Sequence, residues 1–501
     1  MSTSSRSPNI VCFVMDQLRA DHLGCYGNRQ VSTPNIDRLA REGITFTESY
    51  VANPVCMPNR ASLFTGQYPK AHGVRENGIA LNPNTIVLPE ILRRSGYQTL
   101  SIGKIHLAPF GVKRETVANE WELYESKEYW DSGGNLPSPF YGFEHVCLVD
   151  GHGPYVFGHY KRWLEAKHPG TYEKLSAARA LEPPSGAREC WKASISPELH
   201  YNTFIADQAI EWLSTRDRKK PFFIWCSFPD PHHPYSPPEP YCHMYKPSDI
   251  EFRPARREGE LDRLPDYFRL SYEGSLLTGG LRGDLRQTTD AHYREIFALT
   301  YGMITMVDHQ IGRILAKLEQ ESLLDETVIV FLSDHGDLMG DHWLINKGPY
   351  LFRGLVKVPT IWRLPGEQKR GAICDVFVSA VDICPTLLEL VGLPIPDGTQ
   401  GISYRAILSG KQQTTREAVY IEYDESYISD RLRSIRTKEW AITAHANRSC
   451  GLLFDLKNDP LELHNLWDEP GYQNIKKELL AELFRHTAQA DSWLPRKLCH
   501  A

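Results

Sequence analysis

Four short apolar runs, each followed at once by residues that carry chemistry, constrain this chain most. Residues 9–15 lead into Asp16-Gln17, and 98–103 into Lys104-Ile105-His106. Residues 221–227 lead into Phe228-Pro229-Asp230-Pro231-His232-His233, and 327–333 into Asp334-His335-Gly336. Runs this short and free of charged residues read as buried strands. Helical patterns separate them. Thr33-Pro34 opens one that Gly43 closes, and Leu88 to Arg94 forms another ended by Gly96. A long one spans roughly residues 291–318, with Ile296, Leu299, Met303, Met306, Ile311, Ile314 and Leu318 at near-helical spacing. This alternation predicts an α/β fold with a large, mostly parallel sheet sandwiched by helices. Ligands of such sheets bind beyond the carboxyl ends of the strands. Singly, an Asp after a strand is a common helix N-cap and a Lys a solvated charge. Four runs ending in Asp, Gln, Lys and His point instead to one polar site.

The remainder divides unevenly. Residues 1–400 are expected to form the catalytic α/β domain and 401–501 a smaller C-terminal α+β domain. In the latter, Glu417–Tyr423, Leu432–Thr437, Trp440–Thr443 and Leu452–Leu456 read as antiparallel strands, and Lys476–Arg485 as a closing helix. Residues 108–199 are rich in Trp, Tyr, Gly and Pro and lack periodicity. Long irregular insertions of this kind are commonly binding loops, so Trp121, Tyr129, Trp130, His152 and Tyr155 are candidates to line the pocket.

Composition removes several function classes. Net charge is −6 and no basic block stands out, so nucleic acid is not an expected partner. No 18-residue apolar span and no signal-peptide core are seen, which leads to an expectation of no membrane association and a cytoplasmic location. The eleven cysteines, from Cys12 to Cys499, include no C-x-x-C pair, so neither a disulfide framework nor a structural zinc site is expected. Asn447-Arg448-Ser449 is read as a chance match to a glycosylation acceptor.

The remaining constraint is local. In Pro54-Val55-Cys56-Met57-Pro58-Asn59-Arg60-Ala61-Ser62-Leu63-Phe64-Thr65-Gly66, Pro58 suits the first turn of a helix and Gly66 its end. Cys56 then stands just before the helix N-terminus, where free N–H groups and the dipole favour an anion. Arg60, about one turn on, adds a positive charge. A lone cysteine is by itself usually a small buried apolar residue.

That run resembles the signature of the sulfatase family, C-x-P-x-R followed by L/F-T-G. The resemblance extends along nearly the whole chain. It includes Asp16-Gln17, Asn77, Gly103-Lys104-Ile105-His106, Pro231-His232, Ser333-Asp334-His335-Gly336, Gly340-Asp341-His342 through Lys347-Gly348, and Asp459-Pro460 to Asn465-Leu466. It implies an alkaline-phosphatase-like fold and hydrolysis of a sulfate ester. Cys56 would be oxidised to formylglycine by a formylglycine-generating enzyme, and the hydrated aldehyde would be the nucleophile. Asp16, Gln17, Asp334 and His335, with position 56, would hold one divalent cation, Ca2+ first and Mn2+ or Mg2+ as alternatives. Arg60, Lys104 and Lys347 would neutralise the transferring group. His232 or Lys347 would protonate the leaving oxygen, and His106 would take the proton from the second hydroxyl. Asn77, Lys104, His232 and Lys347 would contact substrate.

Two positions depart from the arylsulfatase pattern. Asn59 stands where many members have Ser or Ala, and Gln17 replaces a second Asp. Phosphonate monoester hydrolases and choline sulfatases are similar to this chain in carrying Asp-Gln, whereas Lys104 and His106 are of sulfatase type. The reading is therefore a sulfate ester first and a phosphonate monoester or phosphodiester second. A phosphomutase of the same superfamily fits poorly, because those use Ser or Thr where Cys56 stands. A homo-oligomer is left open.

Overall fold

The four apolar runs lie side by side at the centre of one nine-stranded sheet. In the computed structural model, which describes residues 7–276, 283–366, 371–411 and 416–491, the strands are β1 (Asn9–Met15), β2 (Ile44–Tyr50), β3 (Gln98–Gly103), β4 (His145–Asp150), β5 (Phe157–Gly158), β6 (Phe222–Phe228), β7 (Thr327–Ser333), β8 (Thr360–Arg363) and β9 (Ala372–Ser379). Their order is β5-β4-β3-β6-β1-β7-β8-β2-β9. Among these pairings β5 and β8 run antiparallel to their neighbours, and the others are parallel. Cys499 and the end of the expected C-terminal segment lie outside the described residues.

Every residue of β1, β6 and β7 is buried, as the absence of polar alternation requires. The strand period of two divides them between two cores. Val11, Phe13 and Met15 face one, which the helices Tyr201–Thr215 and Asp290–Gln320 cover with Phe204, Ile205, Ile304, Ile311 and Ile314. Ile10, Cys12 and Val14 face the other, covered by the helices Cys56–Thr65 and Ile383–Leu390 through Ala61, Phe64, Leu387 and Leu388. Burying each large apolar side chain of this kind contributes about 1.5–3 kcal/mol.

Register matters more for function. Met15 lies beside Phe228 on one side and Ser333 on the other, and Gly103 lies beside Ser227. The central strands therefore end at one level. Asp16, Lys104 and Asp334 leave the sheet together, and His232 follows a short way after β6.

The structure corrects the reading of residues 108–199 as wholly irregular. They contain β4, which extends the sheet parallel to β3, and the helix His159–Lys167. The first half of β4 is only partly buried, so its apolar run is too short to stand out.

A second sheet of four antiparallel strands comprises β10 (Val419–Glu425), β11 (Asp430–Arg436), β12 (Trp440–His445) and β13 (Gly451–Asp455), with the helix Gln473–Gln489 packed on it. It grips the first domain through polar ties. Glu422 N–H donates to Ala52 O at 2.9 Å. Arg436 Nη1 donates to Leu351 O at 3.2 Å, and Glu462 Oε2 accepts Arg353 N–H at 2.7 Å. Among the described residues, no helix is long and apolar enough to cross a membrane.

Candidate active site

Cys56 is the first residue of the helix Cys56–Thr65, which ends at Gly66 with φ 68°. Its side chain is 1% exposed and meets groups from three other segments. Sγ lies 3.1 Å from His335 Nε2, 3.1 Å from Lys347 Nζ and 3.8 Å from Asp16 Oδ1. Burial and Asp16 oppose ionisation of the thiol, but Lys104, Lys347 and His335 outweigh them and hold it at about 7.

The two carboxylates are held by cations. Asp16, with no exposed surface, pairs with the Lys104 ammonium through Oδ2 and lies 3.8 Å from Arg60 Nη2. Burial would raise its pKa; Lys104, His232, His152 and Arg60 together depress it well below the usual carboxylate range. Asp334 Oδ2 accepts Arg60 Nε at 2.7 Å, and its Oδ1 accepts Gln17 N–H at 3.1 Å. Arg60 also donates to Lys104 O and Ser227 Oγ, both at 3.0 Å. It thus ties the helix of Cys56 to the ends of β3 and β6. Asn59 has a structural task, bridging Ala52 N–H and Asp334 O.

Lys104 reaches the cluster because its strand ends on Gly103. That residue has φ 92°, and a Cβ there would stand 1.8 Å from Ser227 O. Only glycine allows β3 to turn its next residue inward so close to β6. Gln17 and His106 are also left-handed, with φ 63° and 57°, which is costly for side chains with a Cβ and is commonest at functional sites.

The donor set could hold a divalent metal ion. Asp16, Cys56, Asp334 and His335 each offer a ligand atom, all within 4.8 Å of one another. His335 Nδ1 donates to Gly336 O at 2.8 Å, which turns Nε2 toward the cluster. Gln17 Oε1 accepts from Lys347 Nζ at 3.0 Å, and Gln17 Nε2 donates to Asp337 Oδ2 at 2.5 Å. An ammonium only donates and a carboxylate only accepts, so the amide oxygen is fixed facing inward. Asp16, His152 and His232 form a second convergent group. The Lys104 ammonium touches two of its members, contacting Asp16 Oδ2 and lying 2.9 Å from His152 Nε2.

Two lysine–imidazole pairs flank position 56. Lys347 Nζ lies 2.8 Å from His232 Nε2, matching the Lys104–His152 contact across the pocket. The two imidazoles stack with centroids 3.5 Å apart at 6°. Burial comes first in lowering both histidines. The other imidazole and Lys347 add to this at His232, which falls well below its ordinary value, and Lys104 holds His152 at about 3. Both rings are therefore neutral near pH 7. His106 is neutral for the same reasons, burial and then Lys104 and Arg60. It stacks on Phe110 at 3.7 Å, and its buried Nδ1 has no hydrogen-bond partner among the described residues.

Of the residues singled out in the sequence, Asp16, Gln17, Cys56, Arg60, Lys104, His232, Asp334, His335 and Lys347 thus share one cluster, with His106 at its edge. Asn77 is differently placed. It is exposed, and its Oδ1 accepts Met57 N–H at 3.0 Å, capping the helix of Cys56 from outside. Of the aromatic candidates in 108–199, only His152 enters the cluster. Trp130 is 3% exposed and packs in the core, Tyr129 hydrogen-bonds Asn135 O, Tyr155 is 67% exposed, and Trp121 lines a separate groove with Ile86 and Phe140. Sequence reasoning missed Asp337 and His233. His233 Nδ1 lies 3.1 Å from Gln17 Nε2. Asp337 stood in plain view as the fourth residue of Asp334-His335-Gly336-Asp337.

A side chain at a helix N-terminus, ringed by three cations and two carboxylates, defines a site for cleaving an anionic ester. The comparisons with known proteins narrow the class. The chain belongs to the sulfatase family, whose sequence profile matches residues 8–393; a profile described as "N-sulphoglucosamine sulphohydrolase, C-terminal" matches 340–489. It is 31% identical to an arylsulfatase of Clostridium perfringens over 95% of this chain and 94% of that protein. It is 29% identical to the multifunctional alkaline phosphatase superfamily protein PehA of Trinickia caryophylli, over 98% and 96%. The phosphonate monoester hydrolase of Agrobacterium radiobacter superposes with a TM-score of 0.83 at 30% identity, covering 96% of each chain. The protein is accordingly a sulfuric ester hydrolase of alkaline-phosphatase-like fold.

Proposed function

We propose that this enzyme hydrolyses a sulfate monoester to inorganic sulfate and an alcohol, using formylglycine made from Cys56 and one divalent cation. The observation that carries the reading is the convergence of Lys347 Nζ and His335 Nε2 on Cys56 Sγ, each at 3.1 Å. Asp16, Gln17, Asp334 and His335 would hold the cation, with Ca2+ favoured by the predominance of oxygen donors. Hydrated formylglycine supplies a nucleophilic hydroxyl, and the bound cation lowers the pKa of such a group.

The other residues take roles their charges allow. Arg60, Lys104 and Lys347 stabilise negative charge on the transferring group. His232 is neutral, and its Nδ1 faces His233 O, so its Nε2 is an acceptor turned toward Lys347. The proton for the leaving oxygen therefore resides on Lys347, with His232 orienting that ammonium. His106, neutral and with a free Nδ1, is the acceptor for the hydroxyl proton lost when sulfate departs. Maturation requires a formylglycine-generating enzyme. The ten described cysteines form no disulfide, which supports a cytoplasmic location.

Gln17 favours one second reading. An amide in place of a carboxylate leaves the pocket more positive, which also suits a singly charged phosphonate monoester or a phosphodiester. The test compares kcat/KM for an aryl sulfate and an aryl phenylphosphonate with the same leaving group. Sulfate is expected to lead. A phosphonate preference above about tenfold, roughly 1.4 kcal/mol, replaces the first reading with the second.

A further inference from the structure

Behind Lys104 lie two carboxyl groups that the chemistry above does not use. Glu125 and Asp150 both have no exposed surface. Glu125 collects three consecutive backbone N–H groups from the loop after β3. Its Oε1 accepts Leu107 and Ala108 N–H, both at 2.8 Å, and its Oε2 accepts His106 N–H. Asp150, the last residue of β4, turns its carboxyl group toward that of Glu125, near enough for the two to share a proton. No N–H or O–H of another described residue reaches either of its oxygens.

Two carboxylates in contact inside a protein do not both ionise. Three N–H donors favour the charge on Glu125, and nothing comparable serves Asp150. The proton therefore belongs to Asp150, which donates it to Glu125. Burial and then Glu125 hold Asp150 well above the usual carboxylate range. The other charged or titratable groups facing the pair are Lys104 and Arg60, toward Asp150, and Tyr141, toward Glu125.

The location gives this hydrogen bond its importance. The β3–β4 ladder has its last rung at Gly103 and Leu148. Beyond it the two chains diverge, one into the loop of Lys104 and His106, the other into the loop of His152. The carboxyl pair joins them past that rung.

We propose that Asp150 is a positioning residue. As a neutral carboxylic acid it fixes Glu125, and through it the loop of Lys104 and His106 against the loop of His152. The inference rests on the proposed function only for the choice of substrate.

The test uses the matured full-length enzyme and the variants Asp150→Asn, Asp150→Leu and Asp150→Ala. Asparagine keeps a donor toward Glu125 but cannot titrate; leucine keeps the shape without a donor. Amide exchange at 106–108 should stay near wild type in Asp150→Asn and quicken about tenfold or more in the other two. With an aryl sulfate, kcat should fall about tenfold or more in Asp150→Leu and Asp150→Ala, with a smaller change in KM, while Asp150→Asn stays within about threefold. Wild-type kcat should also decline at alkaline pH as the shared proton leaves, and Asp150→Asn should lose that part of the decline. Equal exchange and equal kcat in the Asn and Leu variants overturn the proposal. So does an alkaline limb unchanged in Asp150→Asn, which decides the matter if the Leu and Ala variants do not fold. Should wild type not turn over sulfate esters, the proposed function fails, and the exchange experiment still judges Asp150.

Discussion

Asp337 sets the orientation of Gln17. Its Oδ2 accepts the Gln17 amide nitrogen at 2.5 Å, so the amide oxygen points at the Lys347 ammonium and the donor cluster. The same carboxylate takes Met339 and Asn346 N–H on Oδ1, at 2.8 and 2.7 Å, and the Tyr235 hydroxyl on Oδ2. One residue thus holds both a donor side chain and the loop leading to Lys347.

Asp337→Asn should therefore weaken divalent-cation binding about 10- to 100-fold, because an NH2 group facing Gln17 Nε2 turns the amide around. Calorimetric titration with Ca2+ checks this. Unchanged affinity means that Gln17 is not a ligand.

Cys56→Ala should abolish turnover while leaving the melting temperature near that of wild type, since a small apolar side chain suits the helix start. Peptide mass spectrometry of the wild-type enzyme should find the aldehyde at position 56. Full activity in a preparation carrying only cysteine there would sink the formylglycine mechanism.

Asp334→Ala should remove the cation and most activity together. The carboxylate spans Arg60 Nε and Gln17 N–H, so its loss also unties two neighbours. Elemental analysis is the direct measurement, and full metal occupancy in the variant would show the ligand set to be wrong.

The part of the stability that rests on four buried histidines should rise with pH from about 4 to 6.5 and then level off. Burial lowers His22 and His159 to about 4, and His72 and His200 to about 3. Each is neutral in the fold and takes up a proton more readily when unfolded. The stability they contribute is present above about pH 6.5, the ordinary histidine value, and is lost as pH falls toward the folded values. Denaturant midpoints across that range test the slope. His200→Gln should make it shallower, since His200 has no exposed surface.

What could be read from the sequence follows from how each residue does its work. Asp16, Lys104 and Asp334 were legible because the buried strands before them carry no charged residue, so the first charged residue after each stands out. The helix of Cys56 was legible through Pro58 and Gly66. β2, β8 and β9 were not, because β8 is very short and β9 is half exposed. Glu125 and Asp150 escaped for a different reason. Neither sits in a pattern, and the contact between them depends on β4 pairing with β3, a strand that sequence periodicity did not reveal. His152 lay among several aromatic candidates, and only the fold separates it from Trp130 in the core.

The ties from Arg436 and Glu462 to Leu351 and Arg353 end a few residues beyond Lys347. The second sheet therefore acts as a jig for Lys347, which belongs to the first domain and carries the acid role proposed above. Grafting a C-terminal sheet from a relative onto this chain would transplant part of the active-site alignment with it. Such chimaeras should retain activity only when the stretch from Lys347 to Arg353 travels in the same piece as the strands that clamp it.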